Sequence, residues 1–169
     1  MENQNQQSQI PYSKPPTVLD GLIQPGLPLK VFSVLFFENC LVFIKSGSIN
    51  PNTSGSMRAS LGGYTGAGMV LGAVGSIIDG QTSQSRIDYV SGLATYSPGV
   101  IAQAHKQNFL LLYSVIERVE MKGPNFAGEV RLSFYARGEK HKFRIDNQSK
   151  ASGAYIKQVL ETFLQGRVF

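Results

Sequence analysis

The C-terminal part of the sequence joins two strands of strictly alternating polarity to one amphipathic helix, and few folds accommodate that order. Apolar and polar residues alternate in EVRLSFYA (129–136) and in KHKFRI (140–145), which is typical of strands with one buried face and one face in water. We predict that the two strands are antiparallel neighbours. Their predicted inward residues are Val130, Leu132, Phe134, Ala136, His141, Phe143 and Ile145.

A helix is predicted over 149–165, because apolar residues recur there at helical spacing and Gly166 is well placed to end it. A helix that follows antiparallel strands has to bury its apolar stripe against their sheet. The sequence therefore predicts an α+β domain, a partly open antiparallel β-barrel capped by a C-terminal amphipathic helix. The residues of the stripe are Tyr155, Ile156, Val159, Leu160, Phe163 and Leu164.

The N-terminal part of the sequence predicts a hairpin, because VFSVLFF and CLVFIKS flank the turn residues Glu38–Asn39. Both runs are almost continuously apolar, which favours strands that are covered on both faces. The preceding residues 18–30 contain Pro and Gly among apolar residues, and they predict a turn-rich lead-in with one short strand. Residues 1–17 predict a disordered tail, so that 18–169 form a single domain.

Together these patterns resemble the pleckstrin-homology-like superfold, in particular its prokaryotic and GRAM-type branches. The resemblance depends on the hairpin ending in LVFIKSG, on FLLLYSVIERVEMKG, and on the two alternating strands with the final helix; it covers roughly 30–46 and 109–166. It implies a PH-like fold but not lipid binding, because the first hairpin lacks the basic pattern of the phosphoinositide-binding members. The phrase tyrosine–serine–x–isoleucine–x–x–valine of those branches is matched by Tyr113, Ser114, Ile116 and Val119.

The segment 47–108 interrupts the β pattern and is predicted to be a glycine-rich, largely helical insert. Within it, Ser97 followed by Pro98 predicts the start of a short helix that continues to about Lys106. The stretch Ala59–Ile78 is twenty residues long and contains no charge. It can be interpreted as a nucleotide-binding loop, as a membrane span or as a closely packed helix.

The packed helix is the favoured interpretation of this stretch. A dinucleotide loop needs a βαβ unit, which does not follow, and a membrane span would contain six glycines. Small residues at every fourth position would instead let another helix or a sheet approach to backbone distance, within the chain or between chains. A mobile loop is the alternative. The small residues are Gly68, Gly72, Ser76 and Gly80.

A basic surface is the second candidate for function. The formal net charge is +5, and the whole excess lies from Lys106 onward, with eleven basic and six acidic residues. Such a surface could bind an anionic lipid membrane or an acidic protein. Alternatively it is a solvated face in which Glu129 and Glu139 form cross-strand ion pairs. The candidate residues are Arg131, Arg137, Lys140, Lys142 and Arg144.

Nucleic acid is not an expected partner, because Tyr135 is the only aromatic residue predicted on the basic surface, and stacking platforms use several. No catalytic, metal or cofactor site is predicted either. Cys40 lies in an apolar strand, and the two histidines, His105 and His141, are far apart in sequence.

We therefore expect a non-enzymatic PH-like binding or scaffolding module that engages a protein or an anionic membrane surface. The alternative is a structural self-association protein, a homo-oligomer whose small-residue helix packs chains together. The N-terminal sequence resembles no signal peptide. The expected location is the cytoplasm, at most peripheral at the membrane.

Overall fold

The computed structural model of the protein describes residues 15–49, 83–146 and 148–169, which adopt an α+β fold. Most of the predicted tail lies outside these ranges, although the first strand already begins at its last residue, Thr17. The described residues contain seven strands, three α-helices and one 3-10 turn (Tyr113–Val115). The elements are β1 (Thr17–Gln24), β2 (Leu29–Phe36), β3 (Cys40–Ile49), α1 (Ser83–Leu93), α2 (Pro98–Gln103), β4 (Phe109–Leu112), β5 (Ile116–Lys122), β6 (Val130–Ala136), β7 (Glu139–Ile145) and α3 (Lys150–Phe163).

The strands form one antiparallel sheet in the order β4-β3-β2-β1-β7-β6-β5. Each half of this order is a meander of neighbours in sequence, and the halves meet where Ile23 of β1 pairs with Arg144 of β7. The two edge strands, β4 and β5, follow each other directly in the chain through the 3-10 turn. The sheet therefore begins and ends at adjacent positions of the sequence.

The prediction that β2 and β3 are covered on both faces is confirmed. Phe32 and Phe43 belong to the main core on the inner face of the sheet. Leu35 and Ile44 point to the outer face, where they form a second core with Val90 of α1 and Ile101 of α2. The continuous apolar pattern thus reflects two separate cores, one on each side of the same strands.

Strand β1 is longer than the short strand predicted for the lead-in. It runs for eight residues, and its register against β2 shifts between Leu19 and Leu22. Gly21 lies at this bulge with φ 76°, a backbone conformation that glycine adopts without strain. The bulge disturbs the alternation of polarity, and this explains why the sequence pattern of the strand is weak.

Helices α1 and α2 lie in the part of the chain predicted as the insert. Helix α2 begins after Ser97 with Pro98 in its first turn, as predicted, but it ends at Gln103 rather than near Lys106. The chain then turns around the buried side chain of Asn108. Its amide nitrogen donates to the carbonyl of Ile101 at 2.9 Å, and its oxygen accepts from the backbone N–H of Lys45 at 2.8 Å.

The predicted C-terminal helix is confirmed as α3. Ser149 caps it, because the serine Oγ accepts a hydrogen bond from the N–H of Ser152 at 3.1 Å. Its buried stripe joins the main core, where the ring of Phe163 lies 5.0 Å from that of Phe36. Of the predicted stripe, Tyr155 and Phe163 are partly buried, and the fully buried members are Ile156, Val159, Leu160 and Leu164.

The residues after α3 cover the free edge of β5. The chain reverses at Gly166, with φ 71°, and residues 167–169 then run parallel to β5. The N–H of Val119 donates to the carbonyl of Arg167 at 2.7 Å, and the N–H of Phe169 donates to the carbonyl of Val119 at 2.9 Å. This pairing satisfies backbone groups that an edge strand would otherwise expose.

Candidate functional site

The outer face of β5, β6 and β7 carries basic side chains in rows that cross the three strands. The register pairs Arg131 with both Lys122 and Arg144, so three cations lie side by side in one row. The next row contains Glu120, Ser133 and Lys142, and the third contains Arg118, Tyr135 and Lys140. We call this surface the basic face; its residues are Arg118, Glu120, Lys122, Arg131, Ser133, Tyr135, Lys140, Lys142 and Arg144.

The first row is only partly neutralised. Arg131 pairs with Glu129, the residue just before β6, Nε to Oε1, at 2.5 Å. Arg144 pairs with Asp146, Nε to Oδ1, at 3.4 Å. Within the described ranges, Lys122 takes part in no ion pair. Because three cations lie side by side and only two of them have an acidic partner, this row raises the local positive potential at the end of the sheet.

In the third row, Tyr135 lies between two cations. The Arg118 Cζ is 4.1 Å and the Lys140 Nζ is 4.5 Å from the centre of the tyrosine ring, both within cation–π range. The tyrosine hydroxyl donates to Glu120 Oε2 at 2.8 Å, and Lys140 donates to the same hydroxyl. Two cations and one carboxylate therefore contact this tyrosine.

These contacts shift the ionisation of the face toward its charged forms. The hydrogen bond from Tyr135 lowers the pKa of the Glu120 carboxyl, and the nearby Lys140 and Arg118 lower it further. The hydrogen bond with the same tyrosine raises the pKa of Lys140. Glu120 is therefore a fixed negative charge among fixed positive charges, and the face keeps its excess of cations at neutral pH.

The structure brings together four of the five predicted surface residues. Arg131, Lys140, Lys142 and Arg144 lie on the basic face. Arg137 does not belong to the rows, because it occupies the turn between β6 and β7 with φ 54°, where the alternation of the strand has ended. Lys142, on the middle row, forms no ion pair within the described part of the chain.

Sequence reasoning missed the contribution of β5 to this surface. Arg118, Glu120 and Lys122 occupy alternate positions of IERVEMK, and that alternation could have indicated that they share a face. The expected cross-strand pairs with the acidic residues also differ from those observed. Glu139 lies 3.8 Å from the Nε2 of His141 instead of pairing with a cation of the face.

A buried polar cluster connects α1 to the outer face of β1 and β2. Arg86, 1% exposed, places Nη2 3.4 Å from Asp20 Oδ2, and the Ser33 hydroxyl donates to Asp20 Oδ1 at 2.5 Å. The arginine Nε and Nη1 have no hydrogen-bond partner among the described residues. A buried ion pair of this kind joins three elements at one point, and nothing in the sequence pattern predicts it.

The remaining candidates lie outside the described residues or have side chains that pack within the fold. The small-residue positions Gly68, Gly72, Ser76 and Gly80 lie outside the described residues. Cys40 is buried in the outer core, and burial raises the pKa of its thiol to about 11, so that the thiol is protonated and unreactive at neutral pH. The ring of His141 stacks on that of Phe109 at 5.1 Å.

None of the described helices has the length and apolar character that crossing a membrane requires. Across the described ranges, no group of three or more His, Cys, Asp or Glu residues could hold a metal ion. Comparison of the chain with protein-family models, with curated proteins and with solved structures finds no match.

Proposed function

We propose that the chain is a non-enzymatic PH-like binding module that attaches to an anionic membrane surface through the basic face. The PH-like assignment is supported by two consecutive meanders in one sheet, by edge strands that are adjacent in sequence, and by a C-terminal helix on the inner face. In a fold of this kind the sheet curls into a partly open barrel and the helix fills it. The outer face of β5–β7 then remains free for a ligand.

The observation that carries the proposal is the row formed by Lys122, Arg131 and Arg144. Placing like charges directly opposite one another destabilises a sheet, and Glu129 and Asp146 neutralise this row only in part, so the row favours a partner that supplies negative charge. The second and third rows extend the cationic surface across the same strands. Cations that are spread over three neighbouring strands suit many headgroups at once better than a single small anion.

A membrane surface is favoured over the other anionic partners. Each Lys or Arg held near an anionic bilayer strengthens binding by about fivefold. Nucleic acid is disfavoured because the one aromatic ring of the face, Tyr135, is held between Arg118 and Lys140. An acidic protein is the other candidate partner, and the test below distinguishes it from a membrane.

The test compares two triple variants with equal net charge. The first neutralises the basic face through Lys122→Gln, Arg131→Gln and Lys142→Gln. The control neutralises three exposed lysines elsewhere, Lys106→Gln, Lys150→Gln and Lys157→Gln. Binding to vesicles of phosphatidylcholine with phosphatidylserine is measured by co-sedimentation at low salt.

We expect the first variant to lose about a hundredfold in affinity, whereas the control loses much less, because only the first removes cations that face the bilayer together. Equal losses would mean that net charge alone attracts the chain. If the unmodified chain does not bind these vesicles at low salt, the membrane proposal is wrong and an acidic protein becomes the favoured partner.

A further inference from the structure

The turn between β5 and β6 presents a fully exposed aromatic side chain beside the basic face. Phe126 has a relative exposure of 105%, the largest of any large apolar residue in the described ranges. The turn connects Lys122, the last residue of β5, to the start of β6, where Arg131 lies. The ring is therefore flanked in the fold by the two strands that supply the first cationic row.

This turn is ordered by its own hydrogen bonds. The side-chain oxygen of Asn125 accepts from the N–H groups of Ala127 and Glu129, each at 3.0 Å. The carbonyl of Asn125 accepts from the N–H of Gly128 at 2.9 Å. Because the backbone on both sides of Phe126 is fixed, little conformational entropy is lost when the ring enters a new environment.

The inner side of the turn is anchored to the start of α3. A Cβ on Gly153 would lie 2.5 Å from the Cδ of Pro124, so the turn and the helix touch at backbone distance. The N–H of Gln148 also donates to the carbonyl of Gly128 at 2.7 Å. The turn is thus fixed by its contacts with the start of α3, while Phe126 at its tip projects into solvent.

We infer that Phe126 is the apolar anchor that enters the bilayer interface while the adjacent cationic row binds the headgroups. This inference rests on the proposed function and adds a second, hydrophobic component to it. Neither component alone binds a membrane strongly, whereas an exposed apolar side chain combined with basic residues is a common interfacial arrangement. The fixed turn explains how one ring can be kept exposed at a defined distance from the cations.

The experiment uses the absence of tryptophan from the sequence. Phe126→Trp introduces the only tryptophan of the variant at the tip of the turn, and its emission can be excited apart from that of the tyrosines. With vesicles of phosphatidylcholine and phosphatidylserine, we expect its emission to shift to shorter wavelength and to be quenched by lipids brominated on the acyl chains. The matched control is Tyr96→Trp, at a position 40% exposed between α1 and α2, whose emission should not change.

A second variant, Phe126→Ala, separates the anchor from the charges. We expect about tenfold weaker binding to the same vesicles with an unchanged dependence on salt, because the cations are untouched. If Phe126→Ala binds as tightly as the unmodified chain and the tryptophan emission does not shift, the anchor is wrong and the electrostatic proposal survives. If the unmodified chain binds no vesicles in the co-sedimentation, both the anchor and the electrostatic proposal are wrong.

Discussion

At the scale of single residues, the acidic side chain inside the basic face decides how strongly that face attracts anions. Glu120 accepts from Tyr135 and lies 3.7 Å from the Lys140 Nζ. The pKa of its carboxyl is lowered, first by the hydrogen bond from the tyrosine and then by neighbouring cations. The ionised carboxylate of Glu120 therefore stabilises the folded state. This stabilisation is fully present above the normal pKa of a glutamate and is lost as the pH falls through the lowered pKa.

Replacing this carboxylate should strengthen binding, which is the opposite of what most surface substitutions do. Glu120→Gln keeps an oxygen that can accept from Tyr135 but removes the negative charge. We expect about fivefold tighter binding to phosphatidylserine-containing vesicles at neutral pH. As a control, Glu161→Gln on the exposed side of α3 should leave the affinity nearly unchanged. Equal affinities of Glu120→Gln and the unmodified chain would show that the face does not contact the membrane.

At the scale of elements, the attachment of α1 depends on one buried ion pair in addition to apolar contacts. The pair joins Arg86 of α1 to Asp20 of β1, and Ser33 of β2 supports the carboxylate. Desolvation offsets much of the attraction in such a pair, but removing one partner leaves a buried charge without compensation. The cluster therefore specifies where the helix docks more than it adds to overall stability.

A double-mutant cycle tests this interpretation. We expect Asp20→Asn and Arg86→Met each to lower the free energy of unfolding in urea by about 3 kcal/mol, because each leaves its partner unpaired in the interior. The double variant should lose clearly less than the sum of the two. Additivity to within about 0.5 kcal/mol would indicate that the two side chains do not interact in solution.

At the scale of the whole molecule, the C-terminal residues hold the turn that connects the two edge strands of the sheet. The guanidinium of Arg167 donates through Nη1 to the carbonyl of Ile116 at 3.1 Å and also to the carbonyl of Tyr113. The Tyr113 hydroxyl in turn donates to the carbonyl of Phe37 at 2.6 Å. One cation thus fixes the connection between the two edge strands.

Removing this cation should loosen the connection. Arg167→Ala is expected to lower the free energy of unfolding by about 2 kcal/mol, because two partly buried carbonyl groups lose a charged donor. Arg167→Lys is the comparison, since its ammonium keeps the charge but not the planar geometry, and it should restore only part of the loss. Urea unfolding followed by circular dichroism measures both. A stable Arg167→Ala variant would show that water replaces the arginine without cost.

Elements that bury only one face leave a clear period in the sequence. Strand β6 and helix α3 expose the other face to water, so their periods are visible as alternation and as a stripe. Strand β1 is predicted only as a short strand, because its bulge interrupts the alternation and because Asp20 is a polar residue in a buried position. Helix α1 buries Arg86 where a pattern search expects an apolar residue.

The candidate site was only half predictable for a different reason. Alternation places Arg131 and Lys142 on outward faces of their own strands, but it does not say which residues of other strands lie beside them. The row with Lys122 exists only through the register of β5 against β6, which includes a shift between Ile116 and Arg118. Register is set by bulges and turns, and these features leave weak traces in a single sequence.

The buried pair between Arg86 and Asp20 has a consequence for how such a chain can vary in length. Helix α1 is attached to the sheet by this pair and by its apolar contacts in the outer core. Within β1, by contrast, the insertion or deletion of one residue would turn Asp20 to the opposite face of the strand, because successive side chains of a strand alternate between its faces. Such a change would separate Asp20 from Arg86, so the length of β1 should stay constant.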